Sequence, residues 1–107
     1  MPNFILAYHE ERQFDTPEQG AEQQKAWGAW LQGLGEAVVN PGQPLGPSQV
    51  VRQGGQVEAL SGPQALMGYT IVQAETIEDA LEMAKACPFL EIGSIEVAQC
   101  YSMPSGG

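Results

Sequence analysis

The chain has 107 residues, 43% of them hydrophobic, and thirteen acidic against four basic side chains give it a formal net charge of −9. A chain of this length forms one core and buries roughly 65% of the surface it exposes when unfolded. The charge repels a polyphosphate backbone and offers few cations to displace counterions, which argues against nucleic acid as a partner; its ordinary consequence is solubility.

No stretch reaches the ~18 apolar residues of a membrane span. The opening MPNFILAYHEER lacks the basic start and long apolar run of a secretion signal. The expected compartment is the cytoplasm, with no membrane partner. His9 is the only histidine, Cys87 and Cys100 are the only cysteines, and no CxxC or HxxxH spacing occurs. No metal and no cofactor are expected. A reducing compartment also disfavours a Cys87–Cys100 disulfide.

In chain order, residues 3–9 (NFILAYH) read as a strand with Phe4, Leu6 and Tyr8 on one face and Ile5 and Ala7 on the other. After a polar loop, Thr16, Pro17, Glu18 and Gln19 form a helix start: an N-cap, a proline at the first position, an acid at the positive end, and a T-x-x-Q capping box. Trp27, Trp30, Leu31 and Leu34 follow at i, i+3, i+4 and i+7, one apolar stripe, and Gly35 ends the helix. Ala37–Val39 is a short extended piece. The NPGQPLGP run after it, with three prolines and two glycines, is expected to be a turn without a regular element. It lacks the lysine and spacing of a phosphate loop.

Residues 49–53 and 56–60 around Gly54-Gly55 read as a hairpin. Residues 66–73 (LMGYTIVQ) form the most strand-like run of all. A second helix spans residues 76–86, capped by Thr76, with a stripe of Ile77, Ala80, Leu81 and Ala84 and with Lys85 at its negative end. Pro88 stops it. A last strand, residues 94–103, sets Ile95 and Val97 against Glu96, Ala98 and Cys100. One domain is expected over residues 1–103, with a loose tail at 104–107.

The order is β-α-β(β)-β-α-β, an α+β, ferredoxin-like plan with an antiparallel sheet and two helices on one face. Two helices cover only one side of that sheet, while several strands carry apolar residues on the other. The expected cover is a second copy of the chain, packed sheet to sheet as a homodimer.

The segments AWGAWLQGLGEAVVNPGQPLGPS and GYTIVQAETIEDALEMAKACPFLEIGSIEV carry W-x-x-W-L, N-P-G-x-P, G-Y-x-I-V-x-A, A-x-x-x-P and G-S-I-E-V in order. In this the chain resembles the YCII-related, or DGPF-domain, family of small bacterial proteins, over residues 3 to about 103. The resemblance implies a dimeric α+β barrel and leaves the function open, since most such relatives are uncharacterised. The eponymous D-G-P-F stands here as Ser61-Gly62-Pro63-Gln64, without its acid. In one branch a helix histidine and an aspartate before a proline are proposed as a catalytic dyad. The matching positions here fall near Gln24 and at Cys87. Neither side chain titrates as that dyad requires.

Several residues remain as candidates. His9 is either a base at the end of the first strand, facing the space between helices and sheet, or a solvated histidine where the strand frays; the second reading is preferred. Glu96, in an otherwise apolar strand near the first, is either a buried acid–base partner of His9 or an outward-facing or interface carboxylate, again the preferred reading. Tyr8, Trp27, Trp30 and Tyr69 line an aromatic ligand pocket or simply build core. Gln24 either replaces the lost histidine as a neutral hydrogen-bonding group or belongs to an exposed helix face. Ser61 and Cys87 border a pocket only through the resemblance. Cys87 lies at a helix's negative end, without a base beside it in sequence, and is expected to be inert. Two functions follow: a dimeric small-ligand-binding module without the dyad, which is preferred, or a cofactor-independent lyase or isomerase acting on a small aromatic or hydroxylated metabolite.

Overall fold

The structure is a computed structural model that describes residues 1–10 and 12–102. Met103 and the tail at 104–107 lie outside the described residues, as does Glu11. The strands are β1 (Asn3–His9), β2 (Val38–Pro44), β3 (Ser48–Val51), β4 (Val57–Leu60), β5 (Leu66–Gln73) and β6 (Ser94–Cys100), and the helices are α1 (Pro17–Leu34) and α2 (Ile77–Lys85). The main sheet runs β2-β5-β1-β6, with every neighbouring pair antiparallel. With the hairpin β3–β4 set aside as an insertion, that is the ferredoxin-like order expected from the sequence.

Both helix starts form as their sequences predict. The Thr16 hydroxyl accepts from the Gln19 backbone N–H at 3.2 Å, and Thr76 does the same for Asp79 at 3.2 Å. Each such cap contributes about 1 kcal/mol. The capping box differs in one bond: Gln19 reaches back to the N–H of Asp15, at 2.8 Å, rather than to that of Thr16. The Trp30 indole N–H donates to the Met83 carbonyl at 3.0 Å and so ties α1 to α2. On α2 the predicted stripe is only half used. Ala80 and Ala84 are buried, while Ile77 and Leu81 remain 40% and 39% exposed.

The two faces of the sheet differ sharply. Phe4, Leu6 and Tyr8 of β1, Thr70 and Val72 of β5, and the helix residues Trp30, Ala80 and Ala84 are all buried in one core. The register pairs Phe4 with Val72, Leu6 with Thr70 and Val97, and Tyr8 with Gly68 and Ile95, so these residues share the helix side. Ile5, Ala7, His9, Ile71, Tyr69, Glu96, Ala98 and Cys100 alternate onto the opposite side. Among the described residues no second layer covers them: the smallest extent is 19 Å, the depth of one sheet and one helix layer.

The NPGQP segment departs from expectation, since it runs as edge strand β2 rather than as a turn. An edge position tolerates missing N–H donors: Pro41 falls where the register slips, between Asn40 and Gln43, and Pro44 ends the strand opposite Gly68. Asn40 Oδ1 accepts from the Gly42 N–H at 2.8 Å and shapes this bulge. Gly42 has φ 75, and a Cβ there would collide with the Tyr69 carbonyl oxygen, so only glycine lets β2 approach β5 this closely. The hairpin β3–β4 forms its own two-stranded sheet as predicted, and no residue of either strand is buried. The Cα radius of gyration, 15.4 Å, exceeds the about 13 Å of a compact chain this long, as an outlying hairpin requires. Among the described residues, no helix is long and apolar enough to cross a membrane.

Candidate functional site

A cavity of about 790 Å³ opens between α1, the β2 bulge and the near end of β5. Helix α1 contributes Gln23, Gln24, Trp27 and Leu31, successive turns of one face. The sheet contributes Tyr8, Met67, Gly68 and Tyr69, and the bulge contributes Pro41 to Pro44. Phe14, Phe89 and Ile92 close the sides. The aromatic rings are mutually braced. Tyr8 meets Trp27 edge to face at 5.1 Å and Phe89 at 4.9 Å, and Trp27 meets Trp30 at 5.4 Å. Such contacts add about 0.5–1.5 kcal/mol each beyond burial, so the wall is rigid.

The polar groups at the sheet side of this cavity are already paired. The Thr70 hydroxyl donates to the Pro41 carbonyl at 3.1 Å, which uses its one proton. The Tyr8 hydroxyl, 2.6 Å from Thr70 Oγ1, must therefore be the donor in that bond. This relay joins the central strand β1 to the β2 bulge through β5. Burial raises the Tyr8 phenol well above its ordinary value, and the neighbouring Cys87 reinforces the shift. Burial likewise pushes the Cys87 thiol up to about 11, with the Phe89 backbone opposing the shift. Both groups keep their protons at neutral pH. Cys87 and Cys100 are free, the first buried and the second exposed.

On the α1 side one polar atom is not paired. Gln23 Nε2 is buried and has no hydrogen-bond partner, at a cavity whose lining includes its own residue. Sequence reasoning chose its neighbour Gln24, which also lines the cavity but is exposed. The signal for Gln23 was present in the stripe of Trp27, Leu31 and Leu34, which extended back by one i−4 step reaches residue 23.

The predicted site residues divide into four groups. Tyr8, Gln24 and Trp27 meet at this cavity, and Tyr69, which alternates onto the outer face, borders it where β5 meets the β2 bulge. Cys87 does not line it and packs behind Tyr8 in the core. Ser61 lines a different cavity, of about 900 Å³, at the base of the hairpin with Glu10, Arg12 and Ser48. His9 and Glu96 line neither.

His9 Nε2 and Glu96 Oε1 are nonetheless 3.0 Å apart, and His9 Nδ1 lies 3.1 Å from the Ala65 carbonyl oxygen. The His9 side chain is 17% exposed and that of Glu96 is 71%. The pair lies on the outer face of the sheet, where alternation along β1 puts residue 9 with Ile5 and Ala7, and not between sheet and helices. Both ring nitrogens thus lie within hydrogen-bond distance of an oxygen, and the two contacts hold the ring in place. Among the described residues, no cluster of three or more His, Cys, Asp or Glu side chains is arranged to hold a metal ion.

Comparison with known proteins agrees with this fold. The sequence matches the YCII-related domain family over residues 1–104. No curated protein sequence matches it significantly. Among solved structures, it is similar to 5-chloro-2-hydroxyhydroquinone dehydrochlorinase from Burkholderia phenoliruptrix in complex with 2,5-dihydroxybenzoquinone. The TM-score is 0.57 at 17% identity, covering 92% of this chain and 93% of that one. At that identity the likeness is one of fold.

Proposed function

This chain belongs to the YCII-related family, and from that premise we propose that it is a small-ligand-binding module whose cavity holds an uncharged, planar, mainly apolar molecule without transforming it. One observation carries the reading. Among the described residues, no Asp, Glu, His, Lys, Arg or Cys lines the aromatic cavity. Tyr8 is its one buried hydroxyl, and its proton is committed to Thr70. General acid–base chemistry needs a group that changes protonation near the operating pH within reach of the substrate. Binding needs only an apolar wall and a few fixed polar groups, which this cavity has.

The module works as a homodimer. The outer face of the sheet exposes Ile5, Ile71 and Tyr69 in part around a nearly buried Ala7, and a second copy packed sheet to sheet would cover all of them. A result of monomer alone by sedimentation at micromolar concentration sinks the dimer.

A second reading is a cofactor-independent lyase or isomerase acting on a small aromatic or hydroxylated metabolite, with His9 and Glu96 as its catalytic pair. The 3.0 Å contact between them supports it, as does the fold shared with a dehydrochlorinase solved with a hydroxyquinone. Titration with simple phenols and aromatic ketones, followed by calorimetry and by product analysis, separates the two. The binding reading expects saturable heats, loss of at least tenfold in affinity on Trp27→Ala, and recovery of the ligand unchanged. Turnover that disappears in His9→Ala would replace it with the second reading, and absence of binding by every probe would end both.

A further inference from the structure

Among the described residues, Thr70 is the one serine, threonine, amide or charged side chain that is fully buried. It stands on β5 between Gly68 and Val72 on the helix side, where an isosteric valine would need no hydrogen bond at all. Its hydroxyl accepts from Tyr8 at 2.6 Å and donates to the Pro41 carbonyl at 3.1 Å. Tyr8 and Pro41 both line the aromatic cavity, from strands β1 and β2, which are not neighbours in the sheet. Thr70 lies behind them and does not line it.

The register shows why a side chain is used at this point. Pairing of β2 with β5 steps from Asn40 opposite Ile71 to Gln43 opposite Tyr69, so Pro41 and Gly42 together stand against Thr70. Proline brings no N–H to that gap, and the Gly42 N–H is given to Asn40 Oδ1 within the bulge. Strand β2 is also the edge of the sheet, so no further strand braces the bulge from outside. The Thr70 hydroxyl supplies a bond where the ladder slips.

We infer that Thr70 is a positioning residue of this cavity. By holding Tyr8 and the β2 bulge to one oxygen atom, it fixes how far the bulge stands from the aromatic wall, and so the width of planar ligand the cavity admits. This deepens the binding reading above and rests on it. A bulge released from Thr70 moves outward, which favours a wider ring system over a narrow one.

The test titrates acetophenone and 2-acetonaphthone, a one-ring and a two-ring aromatic ketone, into the full chain by calorimetry. The readout is the ratio of their dissociation constants, because a general loss of stability weakens both alike and leaves the ratio unchanged. Thr70→Val keeps the shape and removes both bonds; it should shift the ratio at least threefold toward the two-ring ketone. Thr70→Ser keeps the hydroxyl and should hold the wild-type ratio. A wild-type ratio in Thr70→Val overturns the role of Thr70 and leaves the binding module standing. So does a shifted ratio in Thr70→Ser, which can be read whether or not the valine variant folds. Failure of the wild type to bind either ketone removes the module itself.

Discussion

The two faces of the main sheet are built from the same strands and yet follow opposite rules. On the helix side Phe4, Leu6, Tyr8, Thr70 and Val72 are all enclosed, and two of their hydroxyls are linked in order: Tyr8 donates to Thr70, and Thr70 donates to Pro41. On the outer side Ile5, Tyr69 and Ile71 are only half covered, and in the His9–Glu96 pair the carboxylate is largely in water while the ring is mostly shielded. The contrast separates two kinds of candidate chemistry. An enclosed face with its protons fixed favours selective binding. An open face with partly covered apolar residues favours association, and it lacks the water-excluded setting that makes acid–base groups effective.

The largest difference between the faces should appear in stability. Leu6, with 0% exposure, is packed between β5 and β6 under the helices. Leu6→Ala should therefore cost about 3 kcal/mol in urea unfolding, the usual size for a buried leucine, and by the same amount at every protein concentration. Ile71→Ala, on the outer face, should cost little in the isolated chain. On the proposed homodimer its effect should grow with concentration, because the residue would lie in the interface. Equal, concentration-independent losses for the two variants would erase the distinction.

A second test acts through the protons of the enclosed face. The folded-state value for Cys87 is raised from 9.0 to about 11. Its contribution is therefore intact below pH 9 and is lost as the pH climbs through 11, because the folded state must give up burial of a neutral thiol. Tyr8, raised from 10.0, steepens the decline at higher pH. Stability should fall by roughly 2 kcal/mol from Cys87 alone across that window, and Cys87→Ala should remove that part of the slope between pH 9 and 10. A variant with the wild-type slope would show that the thiol is not the group titrating.

Much of this arrangement was legible in the residues. The caps at Thr16 and Thr76, the split β-α-β order and the hairpin around Gly54-Gly55 follow from local chemistry, which one chain segment reveals by itself. The edge strand β2 was not, because its prolines are compatible with pairing only where a register slip and Gly42 let the chain lie against Tyr69. The site was legible in halves. Helical spacing brought Trp27 and Gln24 to the cavity, and the same spacing reaches Gln23. Its lack of a partner was invisible, since that depends on which groups the fold brings beside α1. The His9–Glu96 contact was foreseen as a pair. Its side of the sheet follows from the alternation of Phe4, Leu6 and Tyr8, which sends residue 9 away from the helices.

The smallest effect should come from that pair, and its smallness is informative. An ion pair with one partner 71% exposed is worth less than about 1 kcal/mol, for solvent and salt screen it and two side chains must be held still. His9→Ala and Glu96→Gln should each change unfolding free energy by that little, add no more when combined, and leave the affinity for aromatic ketones at the wild-type value, since neither residue lines the aromatic cavity. A loss above 2 kcal/mol in a chain that stays monomeric would mean that the pair is more deeply integrated than its exposure implies. A loss that appears only when the dimer forms would place His9 and Glu96 at the subunit interface, where the partner's sheet removes the water that now weakens them.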